Sequence, residues 1–135
     1  SDAKSYINLG YEIVDSQISR SLLKNGKIIN ISSAWGVSGA SCEVHYSASK
    51  AGVIGLTKAL AKEVGPSGIR VNCIAPGPTQ TGWIDEELEK AVIPIIPLGQ
   101  LIQPEDIAET ILFLSGKQAK MITGQVIKVS GGHAI

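Results

Sequence analysis

Apolar residues recur along this chain at two different spacings, and the two spacings alternate. Over 7–22 they lie three or four positions apart, which is typical of one face of a helix. The same periodicity predicts helices over 46–64 and 104–115, and a short acidic helix is predicted over 85–92. The last long helix is expected to form its apolar face from Ile107, Ile111, Leu112 and Leu114.

Short, unbroken apolar runs separate the helices and predict buried β-strands over 27–31, 69–74 and 125–129. Loops are expected over 32–41, which is rich in small residues, and over 75–82, where proline and glycine disfavour a helix or a central strand. Helices that alternate with buried strands indicate an α/β fold. We expect a parallel sheet of three strands with helices on both faces.

Composition narrows the classes of function. The 135 residues are 44% hydrophobic, and the 12 basic side chains balance the 12 acidic ones. This suits one globular unit and does not favour nucleic acid or a membrane as a partner. Cys42 and Cys73 lie far apart and predict two reduced thiols, which favours a cytoplasmic location. The two histidines and two cysteines have no ligand spacing, so no metal site is expected.

Residues with useful chemistry cluster where the predicted strands end. In open α/β sheets, ligands bind beyond the carboxyl ends of the strands. At these ends the chain has Ser32, Ser33 and the loop over 76–81. Tyr46 and Lys50 lie four positions apart on the next helix, so they share a face. Taken singly, Ser33 suggests a turn residue, and Tyr46 and Lys50 suggest a surface pair. Together at one edge of the sheet they favour a proton-transfer site.

Other residues near this edge leave two interpretations open. Trp35 and Trp83 follow the two loops and would either line a substrate pocket or serve in plain packing. Cys42 is expected to be a small residue of the pocket wall. His45 and His133 are expected to take no part in the chemistry.

Four motifs in a fixed order carry a resemblance to a known family. They are GKIINISSAWG, YSASK, IRVNCIAPGPTQT and ITGQVIKVSGG. In order and spacing the chain resembles the C-terminal half of a short-chain dehydrogenase/reductase. The resemblance implies a Rossmann-type, doubly wound parallel sheet. It also implies that residues 1–135 are the C-terminal portion of a single reductase domain, and that the N-terminal dinucleotide-binding half, with its glycine-rich turn, is absent from the chain.

The resemblance also implies roles for individual residues. Ser33 matches the serine that holds the carbonyl oxygen of the substrate, and Tyr46 matches the catalytic acid/base. Lys50 matches the lysine that binds the nicotinamide ribose and assists the tyrosine, and Asn8 matches the asparagine of a proton relay. The cofactor-binding set comprises Tyr46, Lys50, Pro76, Gly77, Thr79 and Thr81.

The family resemblance therefore implies an NAD(P)H-dependent oxidoreductase that reduces a ketone to an alcohol, with a tyrosine as proton donor. It is closest to the 3-oxoacyl-acyl-carrier-protein reductases, which implies a small-molecule or carrier-bound ketone, NADP as cofactor with NAD possible, and a homo-oligomer, either a tetramer or a dimer. One alternative is a reductase of a ketone on modified elongation factor P. Another is a catalytically silent fragment that acts as an oligomerisation module.

Overall fold

A computed structural model describes residues 25–134 of the chain. Three parallel strands form one sheet in the order β1 (Lys27–Ile31), β2 (Arg70–Pro76) and β3 (Val126–Val129). The predicted α/β class and the parallel order of the strands are confirmed. The predicted helix over 7–22, together with Asn8, lies outside the described residues.

Among the described residues, four α-helices accompany the sheet. They are α1 (Ala34–Ser38), α2 (Val44–Val64), α3 (Glu86–Val92) and α4 (Pro104–Ser115). Short 3-10 turns follow α2, α3 and α4 at Gly65–Ser67, Ile93–Ile95 and Lys117–Ala119. Among residues 25–134, no helix combines the length and the apolar composition that a membrane span requires.

The middle strand, β2, is covered on both of its faces. Val71, Cys73 and Ala75 point to one face and Ile74 to the other, and all four are fully buried. Val71 belongs to an apolar cluster with Ala61 and Val64 of α2 and with Ile69, which precedes β2. Such a strand reads as a continuous apolar run because neither face meets water.

The opposite face of β2 is tied to α4 and to the segment that precedes β3. The guanidinium of Arg70 donates to the carbonyl oxygen of Gly116 at 3.3 Å. The side-chain amide of Asn72, which is buried, donates to the carbonyl oxygen of Ile122 at 2.9 Å and accepts from the backbone N–H of Gln125 at 3.0 Å. Helices therefore lie on both faces of the sheet, as the sequence predicts.

The prediction that residues 75 and 76 belong to a loop is wrong, because β2 continues to Pro76. Its backbone N–H groups point alternately to the two neighbouring strands. Those of Cys73 and Gly77 donate to carbonyl oxygens of the β3 segment at 2.8 and 2.9 Å, so Pro76 faces the β1 side. Because β1 ends at Ile31, the N–H that proline lacks has no strand to pair with there.

The predicted loop over 32–41 is also wrong in part, because it contains the helix α1. Ser33 has an extended backbone, and its hydroxyl accepts from the N–H of Trp35, so it caps the helix. A serine ahead of a short run of small residues is a weak signal for a helix, and the glycines obscure it.

The predicted apolar face of α4 is wrong at one position. Leu114 is fully buried, whereas Leu112 is 74% exposed. Leu112 and Leu114 are two positions apart, so they cannot both face the sheet on a helix with 3.6 residues per turn.

A second apolar cluster anchors the segment between β2 and α4. Ile84, Ile96, Leu101 and Ile102 are buried together, and Leu88 of α3 packs against them. The backbones of Thr79 and Ile102 pair as a parallel bridge. The loop after β2 is therefore fixed on both sides and holds α3 beside the carboxyl edge of the sheet.

Candidate active site

A cleft of about 680 Å³ opens at the carboxyl edge of the sheet. It collects residues from β1, α1, α2, the loop after β2, α3 and α4. The predicted site residues among residues 25–134 all line it: Ser33, Tyr46, Lys50, Pro76, Gly77, Thr79 and Thr81. The structure thus brings these seven residues together at the edge where parallel strands commonly bind ligands.

The hydroxyl of Ser33 has a fixed hydrogen bond. As the residue that caps α1, it accepts from the backbone N–H of Trp35 at 3.2 Å. A hydroxyl has one proton to donate and two lone pairs. The cap uses a lone pair, so the proton of Ser33 is available to an acceptor in the cleft.

Tyr46 and Lys50 lie one above the other on the first turns of α2. The ammonium of Lys50 is 5.7 Å from the centroid of the Tyr46 ring. It also donates to the carbonyl oxygen of Ile31, at the end of β1, at 3.3 Å. The ammonium of Lys50 therefore lies over the face of the Tyr46 ring while it is held to the end of β1.

Ser32 and Gly36 hold the backbone of α2 at Lys50. The hydroxyl of Ser32 donates to the carbonyl oxygen of Lys50 at 2.7 Å, and the N–H of Ser32 donates to the carbonyl oxygen of Ile74 at the same distance. A Cβ on Gly36 would lie 2.8 Å from the carbonyl carbon and the Cβ of Lys50. Position 36 therefore requires glycine for the close approach of α1 and α2.

The loop after β2 is held to β3. The N–H of Gly77 donates to the carbonyl oxygen of Val129 at 2.9 Å, and a Cβ at Gly77 would lie 2.9 Å from the Cα of Ser130. The Thr79 hydroxyl donates to the carbonyl oxygen of Gly77 at 2.9 Å. This leaves the lone pairs of Thr79 and the whole hydroxyl of the exposed Thr81 for a ligand.

These groups fit the nicotinamide end of a dinucleotide. An ammonium has three protons, and Lys50 uses one on Ile31, so two remain for ribose hydroxyls. The hydroxyl of Thr79 can accept from a carboxamide, and that of Thr81 can donate to it or accept from it. Within the described part of the chain, no group of three or more His, Cys, Asp or Glu side chains is placed to hold a metal ion.

Of the two interpretations left open for the tryptophans, the structure favours the pocket. Trp35, 37% exposed, and Trp83, 64% exposed, both line the cleft. His133 lines it as well, and its Nδ1 is buried without a hydrogen-bond partner among residues 25–134. The signal for His133 was its place just after β3, at the same edge of the sheet. Cys42 is exposed and is not part of the cleft wall.

Cys73 lies below the cleft in the middle of β2, and its side chain is fully buried. Burial raises the pKa of its thiol, and this outweighs the opposing effects of the Ser32 backbone, the Thr57 hydroxyl and the Lys50 charge. A buried thiol of raised pKa keeps its proton and is unreactive at neutral pH.

Residues 11–134 match a family model described as enoyl-(acyl carrier protein) reductase. A 3-oxoacyl-[acyl-carrier-protein] reductase of Chlamydia muridarum is 45% identical over 126 residues, which cover 90% of this chain and 51% of the relative. The uncharacterized oxidoreductase YmfI of Bacillus subtilis is 44% identical over 112 residues, which cover 81% of this chain and 46% of the relative.

Solved structures agree with these sequence matches. A 3-oxoacyl-[acyl-carrier protein] reductase of Brucella melitensis superimposes with a TM-score of 0.81 at 33% identity, over 89% of this chain and 46% of that one. A short-chain dehydrogenase of Leptospira borgpetersenii with bound NAD+ gives 0.80 at 35% identity, over 88% and 48%. The chain spans about half the length of these relatives, and it belongs to the short-chain dehydrogenase/reductase family.

Proposed function

We propose that this chain carries the catalytic residues of an NAD(P)H-dependent reductase that converts a ketone to an alcohol. The observation that carries the proposal is the convergence of a serine hydroxyl, a phenol and an ammonium on one cleft, from Ser33, Tyr46 and Lys50. Reduction of a ketone adds a hydride to carbon and a proton to oxygen. These three groups suit the oxygen side of that reaction.

Each group has one task at the carbonyl oxygen. Ser33 donates its hydroxyl proton in a hydrogen bond and stabilises the charge that develops on the oxygen. Tyr46 transfers its phenol proton to that oxygen as general acid. Lys50, 5.7 Å from the ring, stabilises the phenolate that is left. Asn8 is proposed to continue the path by which that proton is replaced.

The cofactor is assigned to the same cleft. Lys50 would hold the nicotinamide ribose, and the loop from Pro76 to Thr81 would hold the nicotinamide and its carboxamide. When bound, the dinucleotide supplies the hydride. We propose NADP as the cofactor, with NAD as the second possibility. The NAD+ bound to the Leptospira borgpetersenii relative supports a nicotinamide dinucleotide as the cofactor.

The walls of the cleft favour a substrate with an apolar chain. Beyond the polar groups they consist largely of aromatic and aliphatic side chains: Ala34, Trp35, Trp83, Ile84, Leu88, Val92, Ile95, Pro104 and Ile107. The names of the Chlamydia muridarum and Brucella melitensis relatives support a 3-oxoacyl thioester on an acyl carrier protein. Trp83 is largely exposed, so the cleft is open to solvent on that side. An open cleft admits a ketone carried by a protein, which also suits the alternative of modified elongation factor P.

The proposed reaction also requires residues that bind the rest of the dinucleotide. The relatives are about twice as long as this chain, and β1 pairs on one side only among the described residues. We propose that residues 1–135 are the C-terminal portion of a single Rossmann domain, and that an N-terminal half pairs beside β1 and binds the rest of the dinucleotide. A cytoplasmic homo-oligomer, either a tetramer or a dimer, is the proposed assembly.

The test measures NADPH and NADH oxidation by the full-length protein with acetoacetyl-coenzyme A and with acetoacetyl-acyl carrier protein. We expect turnover with both thioesters. Tyr46→Phe keeps the ring and removes the proton, so kcat should fall by about 10²–10⁴-fold. Cofactor binding, measured by calorimetry, should change less than about twofold.

The other arms separate the alternatives. Turnover confined to ketone-modified elongation factor P would replace the thioester substrate. The absence of turnover with every ketone, in a protein that binds the dinucleotide and forms dimers, would favour the silent oligomerisation module. Equal turnover by wild type and Tyr46→Phe would disprove the role of the phenol.

A further inference from the structure

We infer that Trp35 is a positioning residue that fixes both catalytic hydroxyls, those of Ser33 and Tyr46, and this inference rests on the proposed function. Trp35 contacts one of them through its backbone and the other through its ring. It lies in α1, the short helix between the serine and the tyrosine.

The backbone contact sets the direction of the Ser33 hydroxyl. The N–H of Trp35 donates to Ser33 Oγ at 3.2 Å. Because the N–H occupies a lone pair, the hydroxyl hydrogen turns away from α1 and towards the cleft that both residues line. A freely rotating hydroxyl would spend part of its time in other orientations, and preorganised donors are the effective ones.

The ring contact restrains Tyr46. The rings of Trp35 and Tyr46 meet edge to face, with centroids 6.0 Å apart and planes at 86°. This is a preferred geometry for an aromatic pair. Tyr46 is 36% exposed, so few other contacts restrict its ring. Trp35 and the ammonium of Lys50 are the ring and cation partners that the structure gives to this phenol among residues 25–134.

The position of Trp35 is itself fixed by its neighbours. The next residue, Gly36, packs so closely against Lys50 that a Cβ would lie 2.8 Å from its backbone. The preceding residue, Ala34, is buried. Trp35 therefore lies between two closely packed residues of α1, and its ring contacts Tyr46 from that position.

Two substitutions separate the ring from the backbone. Trp35→Leu keeps the N–H that caps Ser33 and removes the aromatic contact, so we expect kcat to fall about tenfold because the phenol is less well oriented. The KM for NADPH should change by less than about twofold. Trp35→Phe restores an aromatic edge and should recover kcat to within about threefold of wild type.

Trp83→Leu is the matched contrast. The substitution is the same and the residue lines the same cleft, but among the described residues the Tyr46 ring pairs with Trp35 and not with Trp83. We expect Trp83→Leu to raise the KM for the ketone and to leave kcat within about twofold. If Trp35 contributes only apolar wall, Trp35→Leu will also raise the KM for the ketone and leave kcat within about twofold. That result would overturn the positioning role.

A spectroscopic readout makes the contact testable without turnover. In protein labelled with 3-fluorotyrosine, the ¹⁹F resonance that disappears in Tyr46→Phe belongs to residue 46. Trp35→Leu should shift it and Trp83→Leu should not. An unchanged resonance would disprove the ring contact. If wild type reduces no ketone, the proposed function fails; if wild type is active and Trp35→Leu keeps its kcat, only the positioning role fails.

Discussion

Ser32 holds Lys50 by the backbone: its hydroxyl donates to the carbonyl oxygen of Lys50 at 2.7 Å. The bond joins the end of β1 to the second turn of α2. The ammonium at the far end of the same residue donates to Ile31, so Lys50 is attached to the end of β1 at both its backbone and its side chain. The place of the ammonium in the cleft follows from these two bonds.

Ser32→Ala should weaken catalysis without removing a group that touches substrate. Loss of the bond lets α2 shift at Lys50, so we expect kcat to fall and the KM for NADPH to rise together, each by about threefold to tenfold. One hydrogen bond of this kind contributes about 0.5–1.5 kcal/mol to the free energy of unfolding. Steady-state kinetics and urea denaturation measure the two effects.

Ser115→Ala is the matched control for Ser32→Ala. Its hydroxyl also donates to a backbone carbonyl oxygen, that of Ile111 at 2.8 Å, but on α4 and away from the cleft lining. It should lose little stability, because its bond lies within one helix and alanine favours a helix, and it should keep the kinetic constants of wild type. Equal kinetic losses in both variants would count against a specific link between Ser32 and Lys50.

Gly36→Ala should be destabilising although it is placed in a helix. The added Cβ would lie 2.8 Å from Lys50 atoms and from Ser32 Oγ, and overpacking of this kind costs about 1–3 kcal/mol of the free energy of unfolding. Gly55→Ala, on the open side of α2, has nothing within 4 Å and should instead stabilise by about 0.5–1 kcal/mol. Thermal and urea unfolding of both variants check the opposite signs.

The sequence predicts the elements that are set by apolar periodicity. The three strands and the helices predicted over 46–64 and 104–115 were correct because their burial is expressed in the spacing of apolar residues. The seven site residues of the described region meet at one cleft because strand ends and a helix start place them there. The sequence therefore predicts the grouping of Ser33, Tyr46 and Lys50.

What the sequence could not predict depends on contacts between elements. The helix α1 was missed because it is five residues long and the serine that caps it is also a common turn residue. Pro76 was assigned to a loop because proline lacks the N–H that pairs with a neighbouring strand. That N–H is needed only where the neighbouring strand continues, and β1 ends before that point. Ser32 and Gly36 act through distances to Lys50 that are set by tertiary packing, and no local pattern contains them.

Lys50→Met should impair cofactor binding and turnover together. The substitution keeps an unbranched, flexible chain and removes the ammonium that faces both the Tyr46 ring and the proposed ribose site. We expect the Kd for NADPH to rise about tenfold or more and kcat to fall by at least as much. Calorimetry and steady-state kinetics separate the two. An unchanged Kd would limit Lys50 to the assistance of Tyr46.

Asn72→Ala should destabilise the protein by about 1–3 kcal/mol in free energy of unfolding. It leaves the backbone N–H of Gln125 without its partner, while the carbonyl oxygen of Ile122 loses one of two donors and keeps the guanidinium of Arg70 at 3.3 Å. Gln125→Ala keeps that N–H and removes an exposed side chain, so it should change stability by less than about 0.5 kcal/mol. Urea denaturation compares the two variants.

The buried thiol of Cys73 should make stability fall at alkaline pH. Burial raises its pKa in the folded protein above the ordinary value of 9.0. As pH rises past that value, the unfolded chain loses the thiol proton first, while the folded protein retains it. The unfolded state then binds fewer protons than the folded state, so the free energy of unfolding decreases with pH.

The comparison that isolates this effect is between wild type and Cys73→Ala. Other groups titrate in the same range, but they are common to both proteins, so the difference between their stability curves above about pH 9 belongs to Cys73. The exposed Cys42 provides a control for burial. In the native protein a thiol reagent should modify Cys42 rapidly and Cys73 only on unfolding. Parallel curves for wild type and Cys73→Ala would show that the thiol ionises equally in both states.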